Sequence, residues 1–151
     1  MWMEQMTQAL GIGAQVPPQQ LAATTTLNTG SIDLSLFKRA LFLFETGTFG
    51  GTGPTLSAAL QVQESPDNST WSNNATIPAA TVTAQNKQAT LEVRADQLGA
   101  GKRYARLQAV CTVGGTGPTI PVAAQALGGE AVHKPGSANN DASVVSQTVV
   151  N

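Results

Sequence analysis

The chain has 151 residues, enough for one domain with its own core, since a folded domain of about 150 residues buries roughly 68–70% of the surface its unfolded chain exposes. Charged residues make up 11% and aromatics 5%, against roughly 25% charged residues in an average soluble domain, so Thr, Ser, Gln and Asn must supply the polar surface. The net charge is −1 with the cations dispersed, which excludes the basic face that duplex nucleic acid requires, and no apolar run approaches the ~18 residues of a membrane helix.

Cys111 is the only cysteine, so no intrachain disulfide forms. No basic stretch followed by an apolar run opens the chain, and no ordinary secretory signal is expected. A surface so poor in charge is either neutral and solvated or lies against other subunits, where charge is costly to desolvate.

Along the chain, residues 1–23 stand apart. They carry one charge, Glu4, beside Trp2, Met3, Met6, Leu10, Ile12 and Val16, and Gly11, Gly13, Pro17 and Pro18 limit any helix to about two turns. This segment reads as an arm. Strands follow. Residues 24–28 are β-branched and end in the turn signal Asn28-Thr29-Gly30. Residues 39–46 are apolar on both faces through Leu41, Phe42, Leu43 and Phe44, as in a central strand whose second face is covered by an arm or a neighbouring subunit.

Residues 55–63 alternate, with Leu56, Ala58, Leu60 and Val62 on one face. The same period recurs in 87–96 (Leu91, Val93, Ala95), 103–113 (Ala105, Leu107, Ala109, Cys111, Val113) and 119–127 (Ile120, Val122, Ala124, Ala126). Period-two alternation marks a sheet with one buried face. Phe42, Phe44, Leu56, Leu60, Val62, Leu91, Val93, Leu107, Val113, Ile120 and Val122 are therefore expected to share one core.

Turn formers separate the strands, in 50–54, 65–68, 99–101 and 114–118. Short strands with such punctuation predict an all-β, jelly-roll-like β-sandwich with extended N- and C-terminal arms. The division is an arm over 1–23, a sandwich over 24–136 and a tail over 137–151 able to add a strand. One hexapeptide, Gly-Gly-Thr-Gly-Pro-Thr, occurs twice, at 50–55 and 114–119. It lacks the Lys-Ser/Thr and helix of a phosphate loop, and predicts two loops of matching conformation at one end of the sandwich.

Catalytic chemistry finds little to work with. His133 is the sole histidine, with no second His or Cys beside it, so zinc by the usual ligands is excluded. No Gly-x-Ser-x-Gly elbow surrounds any serine. The carboxylates Asp33, Glu45, Glu64, Asp67, Glu92 and Asp96 are placed by no paired motif, and Asp67-Asn68 lacks the remaining ligands of a calcium loop. Cys111 falls on an inward face, where a free thiol behaves as a small hydrophobe. No enzyme activity, metal or cofactor is expected.

The stretches Gly30-Ser31-Ile32-Asp33-Leu34-Ser35, Arg39-Ala40-Leu41-Phe42 and the run from Leu60 to Trp71 resemble small virion proteins of tailed bacteriophages, and the likeness continues through 91–98, 101–106 and 126–131. It covers about residues 30–136 and is one of overall pattern. It implies a capsid decoration (cement) protein: a jelly-roll subunit, made in the host cytoplasm, that sits as a dimer or trimer on the outer capsid surface and bridges major capsid proteins. Neither nucleic acid nor membrane is an expected partner.

Trp2, Met3, Met6 and Leu10 in front, and Val144, Val145 and Val149 behind, are the candidate interaction residues, because each end holds apolar side chains that gain from burial. The alternative is a carbohydrate- or receptor-binding sandwich. That would want an exposed aromatic row, whereas Trp2, Trp71 and Tyr104 are far apart in sequence and Trp71 is expected to fold over the sandwich end.

Overall fold

The computed structural model of the protein describes residues 5–148. In chain order the elements are a short helix α1 (Met6–Ala9) and the strands β1 (Gly11–Ile12), β2 (Val16–Leu21), β3 (Thr25–Asn28), β4 (Ile32–Asp33), β5 (Phe37–Thr46), β6 (Gly50–Ser65), β7 (Ser72–Asn73), β8 (Ala80–Val82), β9 (Gln88–Arg94) and β10 (Tyr104–Ala131). Two 3-10 turns occupy Ala95–Gln97 and Gly136–Asn139.

All pairings are antiparallel. β10 is long enough to serve two sheets. Its residues 104–113 pair with β6 on one side and with β3 and β4 on the other, while 120–131 pair with β5 on one side and with β1 and β2 on the other. β9 flanks β5, and β7 and β8 flank β6. With β1/β2, β3/β4 and β7/β8 each taken as one interrupted strand and β10 as two, the first sheet holds the first, eighth, third and sixth strands, and the second sheet holds the second, seventh, fourth and fifth. That order is the jelly roll's.

The inner faces carry the core. Phe42, Phe44, Leu60, Val62, Val93, Leu107 and Ile120 are almost fully buried, and Leu56, Leu91 and Val122 nearly so. Val113 alone of the expected core is only partly covered, because it sits where β10 leaves the second sheet.

The two copies of the hexapeptide lie side by side. They are not reversing loops. The first opens β6 and the second carries β10 on as it crosses from one sheet to the other, and they pair with each other: Gly50 with Thr119, Thr52 with Thr116, and Thr55 with Gly114. A shift of 64 residues exchanges the first and last of these pairs and maps the middle one onto itself, so a local two-fold axis passes between Thr52 and Thr116. The backbone obeys it. Gly51 and Gly115 have φ of 106° and 109°, and Gly53 and Gly117 have 60° and 57°. A Cβ on Gly51 would stand 2.5 Å from the carbonyl oxygen of Gly117, and one on Gly115 would stand 2.7 Å from that of Gly53. Glycine is required at Gly51 and Gly115 for both conformation and close approach.

Two segments differ from the sequence reading. Residues 16–21, inside the stretch read as an arm, form β2, and Val16 and Leu21 enter the core. Pro17 and Pro18 are accommodated because β2 is an edge strand and they fall where its register against β10 slips between Val122 and Ala124, so that neither is paired. Behind, the described tail residues 142–148 are turn and coil. The Asp141 carboxylate accepts hydrogen bonds from the Ser143 amide (2.8 Å) and hydroxyl (2.5 Å), and the Val144 and Val145 amides donate to the Asp141 carbonyl. Such a side-chain-closed turn competes with extended pairing.

Candidate functional site: a groove where the two ends meet

Among the described residues, the segments near the two ends, 6–12 and 136–148, converge on one edge of the first sheet. β1 pairs with β10 through Gly11–Gly128 and Ile12–Leu127, and its other edge is taken by the tail. The Ile12 amide donates to Oδ1 of Asn140 (2.8 Å), and the Asp141 amide donates to the Ile12 carbonyl (2.7 Å). The tail thereby satisfies polar groups that an edge strand would otherwise present. Gly136 lies against the end of α1, where a Cβ would come within 2.8 Å of the Leu10 carbonyl oxygen.

Met6, Leu10, Ile12, Leu127 and Val145 line the resulting groove, with Asn140 and Thr148 at its polar side, and Val144 continues it over Gln125 and Leu127. Met6 is 74% exposed and Ile12 39%. Four of the seven residues singled out from sequence, Met6, Leu10, Val144 and Val145, are therefore in one place. Trp2, Met3 and Val149 lie outside the described residues.

Sequence reasoning missed Ile12 and Leu127 as partners in this groove, although the alternation that buries Ala124 and Ala126 turns Leu127 outward. Leu127 also pairs with Leu41, so Ile12, Leu127 and Leu41 form a cross-strand aliphatic row on the outer face. Leu41 and its neighbour Leu43 are half-buried there, so β5 carries apolar side chains on both faces, as its sequence indicated.

The outer face of the second sheet is different in kind. Tyr104, Arg106, Gln108 and Val110 alternate with the buried Ala105, Leu107, Ala109 and Cys111. The Arg106 guanidinium donates through Nε and Nη2 to Oε1 of Gln63 (2.9 and 2.8 Å), and Gln63 in turn donates to Asn73 (3.1 Å). The Trp71 ring stacks on Arg106, 4.2 Å from guanidinium carbon to ring centroid. Trp71 therefore lies on this face and shares it with Tyr104, whose ring carries the Arg103 guanidinium at 4.8 Å.

Arg103 is ion-paired with Asp33. Partial burial works against ionisation of Asp33, but hydrogen bonds from Arg103 and Ser35 outweigh it and hold its pKa below the usual carboxylate range. Partial burial lowers the pKa of Arg106, whose hydrogen bonds go to a neutral amide.

The remaining chemical candidates are dispersed. His133 and Glu45 are exposed. Glu64 is buried, accepting from the Asn74 side chain (2.6 Å) and the Gly99 amide (3.0 Å), and clamps two loops to the second sheet. Burial pushes the Cys111 thiol up to about 11. Among the described residues no three His, Cys, Asp or Glu side chains gather as a metal site, and no helix is long and apolar enough to cross a membrane.

Strand order and register define an all-β jelly-roll protein. No protein-family model matches the chain, and no curated protein matches it. Among solved structures it is similar to the Triatoma virus empty capsid, at 10% identity over 85% of this chain and 94% of that one, with a TM-score of 0.47. It is also similar to desmodium yellow mottle tymovirus, at 8% identity over 87% and 88%, with a TM-score of 0.37. The jelly-roll assignment rests on the topology above and not on these likenesses.

Proposed function

We propose that the chain is a structural virion protein that binds the outside of a phage capsid and stabilises it by bridging major capsid protein subunits through the terminal groove. One observation carries this reading. The described parts of both ends are gathered on one sheet edge, yet they leave Met6 and Ile12 exposed and the aliphatic row toward Leu41 only half-buried. Burying one such side chain contributes about 1.5–3 kcal/mol, so a few anchors offset the ordering of a short arm, about 1–2 kcal/mol per residue. Trp2, Met3 and Val149 are further apolar anchors in this proposal.

The mechanism is linkage: a subunit that binds only the assembled shell stabilises that shell. A chain with only 11% charged residues suits close contact with other subunits, where few ions must be desolvated. The test is co-sedimentation of the purified chain with undecorated capsids. Wild type is expected to saturate the shells, and Met6→Asp to bind at least about tenfold more weakly. Equal binding by both would refute the assignment of the groove.

A further inference from the structure

A second concave site, with a lining different from that of the terminal groove, lies where Trp71 and Arg106 meet Thr29, Ser31, Asn68 and Asp141, the last belonging to the turn that holds the tail on β1. We propose that this depression binds a neutral saccharide. The proposal does not depend on capsid binding, because the side chains that line the terminal groove are different ones.

Three observations carry it. The first is a half-exposed indole on a fixed support. Trp71 rests on a guanidinium that is itself held by Gln63, so the ring is presented and does not turn inward. An indole so placed can stack on the apolar C–H face of a sugar ring, gaining contact area without reorganisation.

The second is preorganisation of the loop that carries it. Asp67 accepts hydrogen bonds from the amides of Ser69 (3.0 Å) and Thr70 (2.7 Å) and from the hydroxyls of Ser65 (3.0 Å) and Thr70 (3.1 Å). These bonds fix Asn68 at φ 60°, and Asn68 lines the depression.

The third is the balance of polar groups. Arg106 donates, and Asp141 accepts through Oδ2, its Oδ1 being engaged by Ser143. Asn68 and Ser31 do both. One cation and one anion line the depression, so the site has no net preference for charge, and vicinal hydroxyls meet both senses of hydrogen bond. An anionic ligand would be drawn to Arg106 but repelled by Asp141 at the same rim.

The experiment uses the full chain in a Trp2→Phe background, so that fluorescence reports Trp71 alone. The probes are short malto-, cello-, chito-, manno- and galacto-oligosaccharides, with inorganic phosphate as a separate arm. A saturable change in Trp71 emission is expected with at least one oligosaccharide, at a dissociation constant on the order of 10 μM to 1 mM.

Arg106→Gln and Asn68→Gly should each weaken that binding about tenfold or more, because each removes hydrogen bonds to the ligand. Asn68→Gly keeps the left-handed backbone available, so an unchanged melting curve separates lost binding from lost fold. Saturation by phosphate alone, no saturable binding of any oligosaccharide, or binding untouched by both substitutions would overturn the proposal.

Discussion

The paired hexapeptides make a quantitative prediction that no ordinary surface loop would make. Alanine at Gly51 or Gly115 must adopt φ near 106–109° and place its Cβ 2.5 or 2.7 Å from an opposed carbonyl oxygen. The backbone strain alone costs about 1–3 kcal/mol. The clash is with main chain, which cannot swing aside, and forcing the two segments apart adds about 1–3 kcal/mol by analogy with overpacking. Gly53 and Gly117 have φ near 60° and open space beyond the Cβ, so alanine there meets only the left-handed penalty of about 1–2 kcal/mol.

Urea unfolding at constant m-value measures each loss. Gly51→Ala and Gly115→Ala should agree within about 0.5 kcal/mol, and both should exceed Gly53→Ala and Gly117→Ala. The Gly51→Ala/Gly115→Ala double variant should cost less than the two singles together, because both push the same ribbon open. Unequal losses at the two sites, or no excess over Gly53→Ala and Gly117→Ala, would refute the local two-fold.

Leu107, 1% exposed between the two sheets, should cost about 2–5 kcal/mol on truncation to alanine, again by urea unfolding. Asp67 has its pKa lowered below 3.8, chiefly by the Thr70 and Ser69 amides. Its contribution is fully present above the unfolded value and lost as pH falls through the folded one, so the stability gap between wild type and Asp67→Ala should be constant near neutrality and close in acid below about pH 3.8. Cys111, buried and with its pKa raised to about 11, should resist a thiol-reactive chromophore at neutral pH until denaturant is added. Removing residues 1–9 should leave a folded jelly roll with weakened shell binding, whereas removal through Ala23 should also lose stability, because it takes β1 and β2 with Val16 and Leu21; circular dichroism and co-sedimentation distinguish the two.

The central strands were legible because alternation and burial coincide in them: Leu56 to Val62, Leu91 to Val93 and Ala105 to Cys111 each write the inward face directly into the sequence. β2 was not legible. Val16 and Leu21 are its only buried positions, the four exposed residues between them include two prolines, and the register slips between Val122 and Ala124. β1, β4, β7 and β8 are too short to show a period.

The repeat itself was visible, but its role was not, since Gly-Gly-Thr-Gly-Pro-Thr reads as a loop and only the partner copy supplies the cross-strand bonds that make it a ribbon. The apolar residues at the two ends were visible one by one. Their meeting depends on hydrogen bonds between Ile12 and the Asn140–Asp141 segment, which join residues 128 and 129 apart. The Trp71–Arg106 stack is likewise a long-range contact, and neither loop composition nor strand period announces it.

A reconstruction of the purified particle tests the proposed function most directly, because it fixes both the copy number and the buried face. The chain is expected on the outer capsid surface in regular stoichiometry, with Met6, Leu10, Ile12 and Val145 buried against a major capsid protein subunit and the Trp71–Arg106 depression open to solvent. Absence from the particle, a position inside the shell, or a terminal groove facing solvent in the bound subunit would contradict it.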